Sequence, residues 1–192
     1  DASKGEISEN MIIKNMVGRD IDDIYPKRPH KKIGETILEL NNWSAYSTEL
    51  ARHVLKNIDF HVKKGEIVGI AGLMGSGRTE LALSVFGNPK NYKLEGQLKV
   101  SGVEKTFKHT SDAIKSGIAY VTEDRKGEGQ FLIQDIKNNI TAANLNEVAD
   151  KGIINENEEV KRATEYKRSM YIKASSLEQT VGNLSGGNQQ KV

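Results

Sequence analysis

Cysteine is absent from all 192 residues, which excludes a disulfide framework and any thiolate metal site and permits a reducing compartment. Aromatic residues are scarce at 6%, with a single tryptophan, and there are only three prolines. Neither sign of charge dominates. Lys and Arg total 28 against 26 Asp and Glu, a net charge of +2, too small to argue for nucleic acid as a partner. No apolar run approaches the roughly 20 residues of a membrane span, and no leader pattern opens the chain, so any work at a membrane is expected from outside the bilayer. No internal repeat or low-complexity tract appears. A hydrophobic content of 36% with 28% charged residues describes a polar globular chain, one domain or one domain with an appendage.

What the chain does have is glycine, 18 in all, and its densest use is Gly69-Ile70-Ala71-Gly72-Leu73-Met74-Gly75-Ser76-Gly77-Arg78-Thr79-Glu80-Leu81. The apolar run over 66–71 reads as a buried parallel strand. After the glycines, Leu81 and Val85 with Ala82 and Phe86 stand at helical spacing, and Gly87 and Pro89 stop the helix. Strand, glycine-rich turn and helix are the context of a phosphate-binding loop, in which backbone N–H groups turn inward around an anion at a helix N-terminus. The spacing is Gly72-x4-Gly77-Arg78-Thr79, with Arg78 where the pattern has lysine. The plainer alternative is a strand-to-helix turn that happens to be glycine-rich.

Residues 1–34 differ from the rest. Ser8-Glu9-Asn10 caps an expected short helix over 11–17, followed by a charged stretch carrying Pro26 and Pro29 that reads as a linker. From Glu35 the pattern turns to strands, over 36–40 and 54–62, joined across 41–53. That connection carries Trp43 and Tyr46, which read as edge-packing aromatics or, in the alternative, as a ring that stacks on an adenine, with Tyr46 preferred for that role. A further strand is expected over 95–100, a short helix over 110–115, and a second compact apolar strand over 118–121. The loop over 122–129, dense in charge and glycine, follows that strand, where open α/β sheets place ligand contacts; a solvated turn is the alternative. Residues 134–177 lack strand patterning and read as helices over 136–145 and 156–171, the second with Val160, Ala163, Tyr166 and Met170 on one stripe. Finally Ser185-Gly186-Gly187 presents a hydroxyl and bare N–H groups at a helix start, a second anion site with no strand before it and no cation at its tip.

Leu184-Ser185-Gly186-Gly187-Asn188-Gln189 resembles the signature motif of ATP-binding-cassette ATPases, about 105 residues after the phosphate loop, where that family carries it. Gly72-Leu73-Met74-Gly75-Ser76-Gly77-Arg78-Thr79-Glu80, Val121-Thr122-Glu123-Asp124-Arg125-Lys126 and the stretch from Leu184 to Val192 are all similar to the second cassette of bacterial monosaccharide importers of the ribose, xylose and galactose class. The resemblance implies an α/β P-loop NTPase cassette: an antiparallel β subdomain, a partial RecA-like α/β core and a helical subdomain over about 131–185. It implies an inter-cassette linker over 1–34 and an ATP-binding domain over 35–192.

By the same resemblance, Gly72, Gly75, Ser76, Gly77, Arg78 and Thr79 would hold the phosphates of ATP, with Thr79 on Mg²⁺ and Tyr46 on the adenine. Glu123, where most cassettes have a glutamine, would approach the metal or the attacking water as the candidate catalytic residue. Ser185, Gly186 and Gly187 would contact the γ-phosphate of a nucleotide held by an opposite cassette. The implied partners are a first cassette, membrane permease subunits and, indirectly, a periplasmic or extracellular sugar-binding protein, with no nucleic acid. The implied location is the cytoplasmic face of the membrane.

The family's Walker B acids and switch histidine are not found in the 192 residues. The expectation is therefore of a truncated cassette that does not hydrolyse ATP by itself, with an exposed sheet edge beside 66–71. A last helix of about one turn is expected to fray. Two other readings remain: a non-hydrolytic regulatory nucleotide site, and a soluble cassette ATPase of DNA repair or translation.

Overall fold

A computed structural model describes Ser8, Met11, Ile12 and residues 32–192. Most of the expected linker and most of its helix lie outside the described residues. Met11 and Ile12 are helical, and the Met11 amide donates to Ser8 Oγ at 3.2 Å as the capping pattern requires. The chain forms two compact units, Asp1–Ser116 and Gly117–Val192.

The first unit is built on a four-stranded antiparallel sheet of order β2-β1-β3-β4. Its strands are β1 (Thr36–Ser47), β2 (Arg52–Lys63), β3 (Lys93–Val100) and β4 (Val103–Glu104). β1 and β2 are far longer than the apolar alternation indicates, so the connection expected over 41–53 is mostly strand. The alternation breaks because the ladder itself is irregular, with register shifts at Leu40/Trp43, Trp43/Ala45 and Ala45/Tyr46. Only 48–51 turns, closed by the Leu50 amide on Ser47 Oγ at 3.1 Å. Helix α1 (Arg78–Val85) buries Leu81, Leu83, Ser84 and Val85. A short helix α2 (Thr110–Lys115) follows. At its start the Asp112 carboxylate accepts from the amides of Lys108 and His109, which holds that carboxyl below its ordinary range.

Two expected strands are not formed. Residues 66–71 are irregular and largely exposed, with Ile67 78% accessible, and 118–121 is irregular too, with Val121 92% accessible. A strand exists only through its neighbours' N–H and C=O groups. Among the described residues no strand pairs with either segment. The Glu66 carboxylate instead accepts from the Lys63 amide at 2.8 Å, at the point where the chain leaves the sheet.

The second unit is helical. Its core is Ile136, Ala163, Leu177, Val181 and Leu184, with Leu132, Ile140, Ala174 and Val192 packed against it. Helix α3 (Ile136–Ala142) starts at Asp135, whose carboxylate accepts from the Asn138 amide. Helix α4 (Glu156–Ser169) starts at Asn155 and carries acids in its first turn and Lys167 and Arg168 in its last, matching the helix dipole. The stripe expected on α4 is not its core face. Ala163 is buried, but Val160, Tyr166 and Met170 are exposed, and the other buried residue is Glu159. Glu159 meets Lys137 Nζ at 3.0 Å and accepts from Thr141 Oγ1 at 2.8 Å, so the burial of its charge is compensated. A two-stranded ribbon, β5 (Ala149–Asp150) with β6 (Ile153–Ile154), interrupts the stretch that lacked strand patterning. The last helix, α5 (Gly186–Gln189), is one turn long and packs through Gln189, which is 5% exposed.

Candidate functional site

The glycine-rich loop closes on itself ahead of α1, with the Ser76 amide donating to the Leu73 carbonyl at 3.1 Å. Gly75 and Gly77 take φ of +79° and +89°, left-handed values that a side chain resists. Gly77 is the residue before the first turn of α1, and its carbonyl accepts from the Leu81 amide at 2.8 Å. A Cβ at Gly77 would lie 2.9 Å from the Val54 carbonyl oxygen and 3.1 Å from Leu55 Cδ2. This glycine is thus demanded by the sheet beneath it as well as by any phosphate above.

At Gly72 a Cβ would meet Ser76 Oγ at 2.3 Å and Arg78 Cδ at 3.5 Å, which puts the Arg78 stem across the first glycine of the loop. Arg78 and Thr79 are exposed at the N-terminal end of α1, where backbone N–H groups have no partner within the helix. At Gly75 a Cβ would touch nothing within 4 Å, so this residue faces open space. Leu73 and Met74 at its tip are 86% and 97% exposed.

Trp43 and Tyr46 differ in burial. Trp43 is a core residue, 6% exposed, its indole donating to Ser84 Oγ at 3.0 Å. Tyr46 is half-buried and its ring meets His53 edge-on, centroids 5.1 Å apart.

In the second unit, Glu123 stands exposed ahead of a five-residue π-helical turn, Arg125–Gly129. Asp124, not Glu123, organises that turn, its carboxylate accepting from the amides of Lys126 and Gly127 at 3.1 Å each. Burial, and then the charges of Glu128 and Glu123, push the nearby Tyr120 phenol up. Ser185 is exposed and its Oγ accepts from Asn188 Nδ2 at 3.1 Å.

The expectation of no cation at Ser185-Gly186-Gly187 is corrected by the structure. A Cβ at Gly186 would lie 3.0 Å from Arg125 Nη2, and Arg125 Nε donates to Gln189 Oε1 at 3.3 Å. Gln130 Nε2 donates to the Gln189 carbonyl, and Gln189 Nε2 donates to the Val181 carbonyl at 3.1 Å. Gln189 therefore clamps the charged loop to α5. Nothing in local spacing signals a bond between residues 64 positions apart.

Residues 55–192 match the ABC transporter family. The chain belongs to that family. The L-arabinose transport ATP-binding protein AraG of Geobacillus stearothermophilus is 46% identical over 193 residues, covering 100% of this chain and 37% of that protein. The xylose import ATP-binding protein XylG of Thermoanaerobacter pseudethanolicus is 43% identical over 98% of this chain and again 37% of the relative. The chain thus spans 37% of the length of these relatives. Among solved structures, cbiO1 of Clostridium perfringens, part of the ABC transporter complex cbiONQ, has a TM-score of 0.60. It is 19% identical over 82% of this chain and 59% of that one, a likeness of fold alone. The ABC transporter family accounts for the loop, the antiparallel sheet and the helical unit in one chain. No helix of the described residues is long and apolar enough to cross a membrane.

Proposed function

We propose that this chain is the ATP-binding part of a carbohydrate ABC importer, in the place of its second cassette. The observation that carries the reading is the loop over 72–79, with two left-handed glycines ahead of α1 and the Arg78 stem beside Gly72. Backbone N–H groups of the loop and of the first turn of α1 would take the phosphates. Arg78 would neutralise their charge as a planar fork. Mg²⁺ fits the donor set only as a guest of the nucleotide. Thr79 offers one hydroxyl, and among the described residues no group of three His, Cys, Asp or Glu could hold a metal ion. Bound there, Mg²⁺ would neutralise phosphate charge.

Ser185, Gly186 and Gly187 would face the nucleotide of an opposite cassette, with residues 1–34 as the link to a first cassette and 35–192 as the ATP-binding domain. Permease subunits in the membrane and a sugar-binding protein beyond it are the partners that fit an arabinose- or xylose-importing relative. The place of work is then the cytoplasmic face of the membrane. Titration of Mg-ATP tests the reading, and weakened binding on Arg78→Ala is the expected result.

A second reading, binding without turnover, is favoured by Glu123, whose neighbour Asp124 rather than itself is locked by hydrogen bonds. An unfixed carboxylate is a poor holder of an attacking water. Steady-state phosphate release that disappears on Glu123→Gln contradicts this reading and assigns the catalytic role to Glu123.

A further inference from the structure

Tyr46 and His53 are cross-strand partners next to the β1–β2 turn. Their ring planes cross at 78° with centroids 5.1 Å apart, the edge-to-face geometry that aromatic quadrupoles favour. Between the pairs Ala45↔Leu55 and Tyr46↔His53, β2 carries one extra residue, Val54. The carbonyl of Val54 is the group that lies against Gly77. Such bulges bend a strand and re-aim its groups. One irregularity in β2 thus presents the backbone of Val54 to the phosphate loop and the imidazole of the preceding residue to Tyr46. His53 is exposed while Tyr46 is half-buried, so the imidazole adds little to the core.

We propose that His53 is a positioning residue for a purine base, holding the Tyr46 ring at the angle at which it stacks on an adenine whose phosphates occupy the loop over 72–79. The inference rests on the nucleotide reading above and adds to it a residue with no phosphate or metal chemistry of its own. A tyrosine ring near the end of a strand is free to turn about two torsions. A ring already held edge-on keeps one orientation, so less ordering is left for the ligand to impose.

The test is calorimetric titration of the 192-residue chain with ATP and, separately, with inorganic tripolyphosphate, which has the phosphates and no base. His53→Leu is expected to weaken ATP by about three- to tenfold, the equivalent of one lost aromatic contact, and to leave tripolyphosphate unchanged. His53→Phe, which keeps an aromatic edge, restores ATP affinity to within about twofold. Tyr46→Ala shows the same base-selective loss. If Tyr46→Ala loses ATP affinity while His53→Leu does not, the positioning role is overturned and the adenine reading stands. If Tyr46→Ala changes nothing, the adenine reading fails and takes the inference with it. If His53→Leu weakens both ligands equally, the residue acts on the hairpin as a whole and the inference is wrong.

Discussion

The indole Nε1 of Trp43 donates to Ser84 Oγ at 3.0 Å, tying β1 to the helix that follows the phosphate loop across 41 positions of sequence. Ser84 passes the bond on, donating to the Leu81 carbonyl at 2.8 Å. Both residues are buried. Ser84→Ala therefore strands an indole N–H away from water and is expected to cost about 1–3 kcal/mol. Combining it with Trp43→Phe, which removes the stranded donor, should cost less than the sum of the two changes. Trp43 is the only tryptophan, so denaturant unfolding followed by its fluorescence reports on this junction in Ser84→Ala. The double variant is followed by circular dichroism. An unchanged midpoint in Ser84→Ala contradicts the importance of the tie.

Gly75 and Gly77 share a left-handed backbone but not the same surroundings. An alanine at Gly75 meets open space and bears only backbone strain, roughly 1–2 kcal/mol. At Gly77 it meets the same strain plus the Val54 carbonyl at 2.9 Å. Thermal melts should rank Gly77→Ala clearly below Gly75→Ala. Equal melting temperatures would show that β2 yields at Val54.

The clamp through Gln189 predicts a local effect. Gln189→Leu deprives both Arg125 and the Val181 carbonyl of a partner, at a cost of about 1–3 kcal/mol. Hydrogen exchange at the amides of 122–130 should quicken in this variant, and also in Arg125→Ala, which cuts one of the bonds. Exchange in that loop identical to the unaltered chain would mean the loop holds itself through Asp124 alone.

The Lys137–Glu159 pair makes a prediction in pH. The hydrogen bond to Glu159 is the main cause that holds the Lys137 ammonium above its ordinary value of 10.5, with burial opposing. The folded chain keeps this proton where the unfolded chain has lost it. The stabilisation is therefore complete below about pH 10.5 and disappears as the pH climbs through the raised value. The chain should lose stability above that pH more steeply than Lys137→Met. At neutral pH the variant leaves buried Glu159 with Thr141 alone and should be less stable by about 1–3 kcal/mol, less than for a fully buried pair because Lys137 is 19% exposed. Melting temperatures from pH 7 to 11 check both statements, and parallel curves would refute the link between pH and this pair.

Much of this was legible because it is local. Ser8 ahead of Met11, and the glycines before α1, carry their structural meaning within a few residues. The long β1–β2 hairpin was only half legible, since shifts in register at Trp43 and Ala45 scramble the alternation by which strands are recognised. Residues 66–71 and 118–121 have the composition of buried strands, yet a strand is a property of its pairings, which composition does not contain. On α4 the apolar stripe misled because the buried side is filled by an ion pair, Glu159 with Lys137. The cation beside Gly186 was invisible for a further reason: Arg125 reaches it through a bond that spans 64 positions.

The central claim is that residues 72–79 hold the phosphates of ATP, and isothermal calorimetry of Mg-ATP with the 192-residue chain tests it most directly. The account predicts saturable binding that Arg78→Ala weakens by about tenfold or more, the loss of about 1.5–3 kcal/mol expected for a hydrogen bond to a charged group. Arg78→Lys should keep most of the affinity. Absence of binding by the folded chain, or an affinity that Arg78→Ala leaves within about threefold, would contradict it.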